Sequence, residues 1–353
     1  MRLRRLEPIP VRLPLRHPVK MASGVVSAAE NVLVRLETTD GIVGWGEAAS
    51  APAMTGETVA TMMRAIGELA PLLTATEDAH AVMERTPGNH GAKAAIDIAL
   101  LDAMGKAAGR PVHALLGSAR RDSVPLMWTL AGDIAEAHER FAAGYRAFKI
   151  KVGIADPAAD AARTAAICAE LGGAALVCAD ANQGWTREQA IDYVRAAQGL
   201  GLAFVEQPLA ARDVEGMAAL VRASAVPIAF DEGVHDLEGI RRHHGAGCAG
   251  GSLKAIKLGG LRGIVAAAQL CQSRGMKVNL ACKIAESGIA AAALLHAAAV
   301  VPALEWAVSL TSHHLEDDLI ATALAIAHGH AEVPRGAGLG VEVREADLRR
   351  YRI

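Results

Sequence analysis

The sequence has few aromatic residues and no excess of charge of either sign. Phe, Trp and Tyr make up only 3% of its 353 residues, which argues against stacking platforms for single-stranded nucleic acid. The formal net charge is −2, so no global field favours nucleic acid or an anionic membrane. We therefore expect neither nucleic acid nor membrane as a partner.

Cysteine patterns and membrane-length apolar runs are also missing. The five cysteines are odd in number and contain no C-x-x-C pair, which predicts neither a disulfide framework nor a zinc knuckle and favours a reducing, cytoplasmic location. The longest apolar stretch, residues 289–301, is broken by His296 and is too short to span a bilayer. It predicts a buried helix. The first fifteen residues lack the unbroken apolar core of a secretory signal.

Hydrophobic residues are plentiful at 52%, enough for a substantial core, and their spacing changes along the chain. The first 120 residues predict strands followed by helices: strands at 1–15 and 30–38, a hairpin that turns at residues 40–41 and is closed by residues 43–47, and helices at 56–73 and 91–108. This pattern is typical of an α+β domain.

From about residue 121, short apolar strands alternate with Ala-rich helices. The strand candidates are 125–130, 147–151, 175–180, 203–206, 227–231, 252–256, 277–281 and 303–308. Eight such repeats predict an α/β fold, a (β/α) barrel of modified TIM type. We divide the chain into an N-terminal α+β capping domain, residues 1–120, completed by residues 326–353, and a catalytic barrel, residues 121–325.

A lysine pair ends the second predicted strand. Lys149 and Lys151 share one face of the strand, because side chains alternate along it. Two adjacent ammonium groups repel, so we expect each to lower the pKa of the other and to make a usable general base. Taken alone, the pair would more often be two solvated lysines; the acidic residues downstream reverse that interpretation.

Three carboxylates end the next three predicted strands. Asp180, Glu206 and Asp231 follow Lys151 at successive spacings of 29, 26 and 25 residues. A carboxylate that ends an apolar strand is costly unless it is paired or bound to metal. Oxygen ligands without His or Cys favour Mg²⁺ or Mn²⁺ over zinc. The alternative interpretation is that the three carboxylates form no common site and that each caps the helix that follows it.

A third lysine and a fourth acidic residue are expected at the same rim of the barrel, the edge formed by the carboxyl ends of its strands. Lys254 lies in the sixth predicted strand, opposite Lys151 in an eight-stranded barrel. Lys257 is the alternative candidate for the same role, although a residue three positions after Lys254 cannot lie on the same face of a strand. Glu286 is a further rim candidate, while Ser287 beside it predicts a helix cap.

Together these residues resemble the enolase superfamily, in particular its muconate-lactonizing subgroup. The resemblance covers nearly the whole chain, at residues 44–47, 91–106, 124–133, 146–153, 180–185, 205–209, 230–233, 252–261, 286–289, 304–310 and 336–343. Enolase-superfamily sites use a Lys or His base with Mg²⁺. A His–Asp dyad on strands six and seven is absent, which argues against the mandelate-racemase subgroup.

The resemblance implies a role for each candidate residue. Asp180, Glu206 and Asp231 would be the metal ligands. Lys151 would be the acid/base, Lys149 would tune its pKa and hold the substrate carboxylate, and Lys254, favoured over Lys257, would act from the opposite face. Asn182, Lys283 and Glu286 would form the outer shell around substrate and metal.

The expected function is that of an Mg²⁺-dependent enzyme, with Mn²⁺ as an alternative, that forms an enolate beside a metal-bound carboxylate. A muconate-cycloisomerase-like lactonization of a small carboxylate is the first hypothesis. A racemase or epimerase of an N-acyl amino acid, a dipeptide or a related derivative is the second, and a dehydratase using the same lysines is also open. A non-catalytic binding protein is the third. We expect a homo-oligomer, since the family often assembles.

Segments that contact substrate depart from the cycloisomerase pattern. Residues 281–285 contain Cys282 and Lys283 in place of a run of small residues, and residues 311–314 read Thr-Ser-His-His. Residues 305–307 lack the Asp-x-Asp of dipeptide epimerases, which weakens that version of the second hypothesis. The capping loops at 19–26 and 51–57 are expected to close over the substrate.

Overall fold

The computed structural model describes residues 1–22, 24–130, 134–171 and 173–353. It opens with an antiparallel sheet of β1 (Leu3–Met21), β2 (Gly24–Thr38) and β3 (Val43–Ala49), in that order. The helices α1 (Pro52–Thr55), α2 (Val59–Thr74), α3 (Ala79–Arg85), α4 (His90–Ala108) and α5 (His113–Leu116) follow. The predicted α+β pattern is confirmed, with longer strands than expected.

Residues 43–47, predicted to close the hairpin after the turn at residues 40–41, lie in strand β3, which pairs antiparallel with β2. Glycine is needed here because helix α4 packs directly on the strand. A Cβ atom at Gly44 or Gly46 would overlap the carbonyl oxygens of Ala99 and Ala95 respectively. Gly44 and Gly46 therefore allow a close approach of backbone to backbone.

The central element is an eight-stranded parallel sheet. After β4 (Ser123–Pro125) come β5 (Met127–Leu130), β6 (Ala147–Lys151), β7 (Leu176–Asp180), β8 (Phe204–Glu206), β9 (Ile228–Phe230), β10 (Gly250–Leu253), β11 (Lys277–Ala281) and β12 (Val308–Ser309). From β5 to β12 each strand pairs with the next. A parallel bridge between Leu126 and Val308 brings the two edges together, so the sheet is nearly closed. The predicted barrel is confirmed.

Helices alternate with the barrel strands. They are α6 (Ile134–Ala142), α7 (Pro157–Leu171), α8 (Arg187–Ala196), α9 (Val214–Ala223), α10 (Leu237–Gly245), α11 (Ala255–Leu258), α12 (Leu261–Ser273) and α13 (Gly288–Val300). Every residue of α13 is buried, which confirms the buried helix predicted at 289–301. No helix within the described ranges has both the length and the apolar character needed to cross a membrane.

Two predicted strands were misplaced. The sixth, expected at 252–256, runs earlier, because Gly250 and Gly251 lie extended against Lys277 and Phe230 and leave no room for a Cβ atom. The eighth, expected at 303–308, begins only at Val308. Ala307 has a positive φ of 58° that interrupts extended backbone, and the buried Trp306 ring stacks on Phe204 at 3.9 Å.

The C-terminal residues return toward the start of the chain. β13 (Ile326–Ala327) and β14 (His330–Glu332) form a small antiparallel sheet with β4, and α14 (Leu348–Tyr351) follows. Arg352 bridges to Val11, and the Ile353 N–H donates to the Pro10 carbonyl oxygen at 3.2 Å. The domain limits at residues 120 and 325 stay predictions, and residues 131–133 of the stretch 124–133 lie outside the described residues.

Buried carboxylates join the N-terminal layer to the barrel. Glu47 accepts hydrogen bonds from the Ser287 N–H at 3.0 Å, the Ser287 hydroxyl at 2.6 Å and the Ala290 N–H at 3.1 Å, at the start of α13. Asp97 accepts from the Leu261 N–H at 2.8 Å, at the start of α12. These N–H groups have no partner within their own helices, and the carboxylates satisfy them.

Candidate active site

The predicted charged residues lie at the carboxyl ends of neighbouring barrel strands. Lys151 on β6 is in register with Asp180 on β7, and Asp180 is in register with Glu206 on β8. Asp231 directly follows β9. Parallel strands present these ends on one rim, which is where TIM-barrel active sites form.

A cavity of about 190 Å³, which we call the inner chamber, opens at this rim. Its lining includes six of the predicted site residues: Lys149, Lys151, Asp180, Asn182, Lys254 and Lys283. Met21, residues 24–26 and residues 51–54 line it from the N-terminal layer. Residue 23 of the predicted loop 19–26 lies outside the described residues. The chamber is therefore shared between barrel and cap.

Each lysine of the pair has its own carboxylate. Lys149 Nζ lies 2.6 Å from Glu206 Oε2, and Lys151 Nζ lies 2.6 Å from Asp180 Oδ2 and 2.7 Å from Asn182 Oδ1. The expected lowering of pKa is wrong for Lys149. Burial would lower the pKa of its ammonium group, but the negative charges of Glu206 and Asp180 outweigh burial and raise it. Lys149 is thus held charged.

Asp231 is shared by two lysines. Lys254 Nζ contacts Asp231 Oδ2, and Lys257 Nζ lies 2.6 Å from Asp231 Oδ1 and 2.9 Å from the Ser252 carbonyl oxygen. The strand argument that separated the two lysines was wrong, because the chain turns into α11 after Lys254 and residues three apart on a helix are neighbours. Burial opposes ionisation of Asp231, but the two ammonium groups prevail and lower its pKa.

Loops after the strands are held by buried amides. The Gln207 side-chain oxygen accepts from the Asp231 N–H at 2.8 Å and the Gly233 N–H at 3.0 Å, so the turn after β8 orients the turn after β9. Asn182 has a positive φ of 41°, which asparagine tolerates, and this places its side chain beside Lys151. Gln207 was missed from sequence, although its place directly after Glu206 was a signal.

Glu232 is a chamber residue that sequence reasoning also missed. It lines the inner chamber and accepts from Asn182 Nδ2 at 3.1 Å. Burial, together with the negative charges of Asp231 and Asp180, raises its pKa to about 7. A residue next to Asp231 would point away if the strand continued, but β9 has ended at Phe230. That ending was not readable from the residue pattern.

Glu286 lies beside Lys283 and Glu47. Glu286 Oε2 accepts from the Lys283 N–H at 2.9 Å, and burial together with the charge of Glu47 raises the pKa of Glu286 to about 7. Burial lowers the pKa of Lys283. The predicted helix cap by Ser287 is present, since its hydroxyl accepts from the Ile289 N–H at 3.2 Å.

The carboxylates match a hard cation in chemistry. Asp180, Glu206 and Asp231 offer only oxygen, and Glu206 Oε1 is buried without a hydrogen-bond partner among the described residues. An unpartnered buried carboxylate oxygen calls for a cation. As the side chains lie here, no three His, Cys, Asp or Glu residues in the described ranges stand close enough to hold a metal. Lysine ammonium groups contact four of the other five carboxylate oxygens, and Asp180 Oδ1 accepts from the Asn182 N–H at 3.1 Å.

Two family models together match most of the chain. Residues 6–117 match the family described as mandelate racemase / muconate lactonizing enzyme, N-terminal domain, and residues 133–347 match the enolase C-terminal domain-like family. The fold and the site thus define the class of the protein, an isomerase built from a (β/α) barrel and an N-terminal capping domain. The chain belongs to the enolase superfamily, in its muconate-lactonizing subgroup.

Individual relatives cover almost the whole chain. A chloromuconate cycloisomerase of Cupriavidus pinatubonensis is 34% identical over 360 residues, which cover 97% of this chain and 96% of that protein. The structure of a muconate lactonizing enzyme from Pseudomonas fluorescens, complexed with muconolactone, superposes with a TM-score of 0.94 at 32% identity and covers 100% of this chain and 99% of that one. An N-succinyl Arg/Lys racemase from Bacillus cereus superposes at 0.93 with 27% identity, covering 100% and 98%.

Proposed function

We propose that the protein is a divalent-metal-dependent cycloisomerase that forms a lactone from a muconate-like dicarboxylate through an enolate. The observation that carries this is that Lys149, Lys151 and Lys254 all line the inner chamber with Asp180. β6 and β10 lie four strands apart in the eight-stranded sheet, so Lys151 and Lys254 reach the chamber from opposite sides. The 34% identity to a chloromuconate cycloisomerase supports lactonization.

Lys151 is the proposed proton donor. In lactonization one carboxylate oxygen of the substrate forms a bond to a carbon of a conjugated double bond. The displaced electron pair moves to the carbon next to the other carboxylate, which becomes an enolate. The Lys151 ammonium group gives its proton to that carbon and is left as a neutral amine. General acid catalysis of this kind contributes about 10²–10⁴-fold.

Lys149 and the cap have supporting roles in this proposal. Lys149, kept charged beside Glu206, would hold the reacting carboxylate within reach of Lys151. Met21 and residues 51–54 cover the chamber and would exclude water from the enolate. An enolate shielded from water is stabilised more strongly by a nearby ammonium group.

We propose that Asp180, Glu206 and Asp231 hold Mg²⁺, with Mn²⁺ as a substitute. Bound there, the cation would supply electrophilic stabilisation for the carboxylate of the enolate. The unpartnered Glu206 Oε1 supports this assignment. Titration with Mn²⁺, followed by electron paramagnetic resonance, should show one bound ion per chain in the native protein and a much weaker site in Glu206→Gln. Equal binding by both proteins would contradict it.

The test of function is a reaction in D₂O with Mg²⁺, with cis,cis-muconate and a chloromuconate as substrates. We expect the lactone, with one deuterium on the protonated carbon by NMR, and a far slower formation of it by Lys151→Met. If no lactone forms but the protein exchanges the α-hydrogen of N-acyl amino acids or dipeptides, it is a racemase or epimerase. Loss of water from a hydroxy acid would instead indicate a dehydratase.

A cytoplasmic location and a homo-oligomeric state stay predictions. The five cysteines are free in the structure and four of them are buried, which supports a reducing compartment. A small carboxylate as the binding partner follows from the proposed reaction.

A further inference from the structure

Each turnover of the proposed reaction consumes one proton. A dicarboxylate carries two negative charges and its lactone carries one, because one carboxylate becomes an ester and one carbon gains a hydrogen. In the proposed mechanism the Lys151 ammonium group gives this proton and is left as a neutral amine. The amine has to take up a proton that comes from solvent before the next substrate can react. A route for protons to Lys151 is therefore needed.

Lys151 lies between two cavities. Its side chain is 13% exposed, and it lines both the inner chamber, of about 190 Å³, and a larger cavity of about 920 Å³ that we call the outer chamber. Thr129 also belongs to both linings. In the proposed function the inner chamber holds the substrate beneath the cap. The outer chamber is then the side from which a proton can reach Lys151.

The outer chamber connects Lys151 with solvent. Residues at the end of β1, on β5, α6 and α7, and at the turn that contains His313 and His314 line it. Arg16, His17 and Ile154 in this lining are exposed, so the chamber opens at the surface. A polar cavity of this volume has room for water. Water is a weak acid, however, and proton transfer is most efficient from a group with a pKa near the working pH.

Histidine is the side chain that best meets this requirement. Burial is the main cause that lowers the pKa of His313 to about 3, so His313 stays neutral near neutral pH. The pKa of His314 is also lowered, chiefly by burial; the charge of Glu136 opposes this effect and the charge of Lys151 adds to it. His314 therefore lies within electrostatic reach of both a carboxylate and the proposed proton donor.

The His314 ring is held by its neighbours and has one nitrogen without a partner. The ring centroids of His313 and His314 are 4.1 Å apart, and His313 stacks on Trp128 at 4.4 Å. Trp128 Nε1 in turn donates to Glu136 at 2.8 Å. Among the described residues, the buried Nε2 atoms of both histidines have no hydrogen-bond partner. Such nitrogens are rare in folded proteins, and water in the outer chamber would be the partner here.

The charges around His314 favour passing a proton on over keeping it. The charged and titratable side chains that line the outer chamber with His314 are Arg16, His17 and Lys20 on β1, Glu136 and Arg140 on α6, Lys151 on β6, Asp160 and Arg163 on α7, and His313. Lysines and arginines outnumber carboxylates, which disfavours a lasting positive charge on His314. An imidazolium group is a stronger acid than an ammonium group, so transfer from His314 to the neutral Lys151 amine is downhill.

We propose that His314 relays a proton from the outer chamber to Lys151 after each turnover. The inference rests on the proposed function, in which Lys151 is the proton donor. The His314 imidazole takes up a proton from solvent; its N–H bond then breaks as an N–H bond forms on the Lys151 amine, directly or through one water molecule. His314 returns to the neutral imidazole and Lys151 to the ammonium group. His314 acts only through Lys151 and leaves the reacting atoms untouched.

Kinetics of His314→Gln, with Mg²⁺ and a muconate that the native protein converts to lactone, test the relay. In stopped flow, the first turnover should proceed within about twofold of the native rate, because the chemical step does not involve His314. At steady state kcat should be about tenfold or more lower, since general acids contribute about 10²–10⁴-fold and water is a slow substitute. kcat/KM should stay close to the native value, because recharging of Lys151 limits the rate only when substrate is plentiful. Added imidazole should restore kcat.

A purely structural role of His314 would give a different result. If the first turnover, kcat and kcat/KM fall together and imidazole restores none of them, the proposal fails. A native kcat in His314→Gln, or a slow steady state in His313→Gln alone, would place the proton route elsewhere and also overturn it. His138→Gln, an exposed histidine on α6 outside the lining of the chamber, is the matched control and should behave as the native protein does.

An NMR titration of the His314 ring gives a readout without turnover. The positive charge of Lys151 lowers the pKa of His314, so the ring should titrate at a higher pH in Lys151→Met than in the native protein. The resonance is assigned by its absence from His314→Gln. Titration at the same pH in both proteins would mean that the two side chains lie too far apart for a relay, and it would overturn the proposal.

Failure of the relay and failure of the proposed function are distinguishable. If lactone forms and His314→Gln shows no slow steady state, the relay fails and lactonization stands. If no lactone forms but the native protein exchanges the α-hydrogen of an N-acyl amino acid, lactonization fails. The relay then predicts that His314→Gln returns more deuterium from an α-deuterated substrate to the product, because exchange of Lys151 with solvent is slower. Equal retention of deuterium in both proteins would contradict it.

Discussion

The barrel rim and the junction between cap and barrel both bury carboxylates, but they stabilise them differently. At the rim, Asp180, Glu206 and Asp231 face lysine ammonium groups on flexible side chains. At the junction, Glu47 and Asp97 accept hydrogen bonds from backbone N–H groups at helix starts. Ammonium partners can be displaced by a cation or a substrate, whereas backbone donors are fixed. The first arrangement therefore serves chemistry and the second stability.

The largest expected effect lies at the rim. Lys151→Met should lower kcat/KM for lactone formation by about 10³-fold, or about 4 kcal/mol, because the proposed proton donor is lost. Its unfolding free energy, measured with urea, should change far less than that of the junction variant below. Retention of more than a tenth of the native activity would place the proton donor elsewhere.

A junction variant should show the opposite pattern. Glu47→Ala leaves the N–H groups of Ser287 and Ala290 and the Ser287 hydroxyl without this acceptor, and Asn31 Nδ2 keeps only the Ala285 carbonyl oxygen. We expect a loss of about 3–4 kcal/mol in unfolding free energy. Urea unfolding followed by circular dichroism measures it. Activity of the folded fraction should fall much less than in Lys151→Met. Glu84→Ala, at an exposed position on α3, is the control and should unfold like the native protein.

Within the candidate active site, Lys254 and Lys257 both contact Asp231, but we expect one to serve activity and the other stability. Lys254 lines the inner chamber, whereas Lys257 is fully buried beneath it. We expect Lys254→Met to lower kcat/KM by about 10²-fold. Lys257→Met should chiefly reduce stability, by about 2–3 kcal/mol, since it breaks a buried ion pair while Lys254 remains with Asp231. Steady-state kinetics and urea unfolding, measured on both variants, would show these different losses. Equal changes in kcat/KM and in unfolding free energy for the two variants would contradict the division of roles.

The smallest effect is a pH dependence at the junction. His296 accepts from the His113 N–H at 3.3 Å, its Nε2 lies 3.1 Å from the Leu339 carbonyl oxygen, and burial lowers its pKa to about 4. The unfolded chain takes up this proton near pH 6.5. The stability contribution is therefore present above pH 6.5 and is lost as the pH falls toward 4.

Between pH 7 and pH 5 the native protein should lose about 2 kcal/mol more unfolding free energy than His296→Gln does. Urea titrations at the two pH values give this difference directly, and other titrating groups cancel in it. Equal losses would mean that His296 does not stay neutral in the folded protein.

Much of the fold and the rim could be predicted because the signals are local. Each of Lys151, Asp180 and Glu206 ends an apolar strand, and parallel strands bring such ends to one edge. Misplaced strands arose where packing overrode propensity, as at Gly250 and Gly251, whose backbone must lie close to Lys277 and Phe230. A residue pattern does not contain that approach distance.

The sequence by itself determined the barrel with its cap and the three acids and lysines of one rim, because side-chain periodicity and strand spacing act over few residues. Only the tertiary structure decided which lysine pairs with which carboxylate, that Lys257 shares Asp231, and that Glu47 caps a helix 240 residues away. It also brought segments as distant as β1 and the turn at His313 together around one cavity of about 920 Å³. Contacts between residues far apart in the chain depend on how whole elements pack, and no local pattern records them.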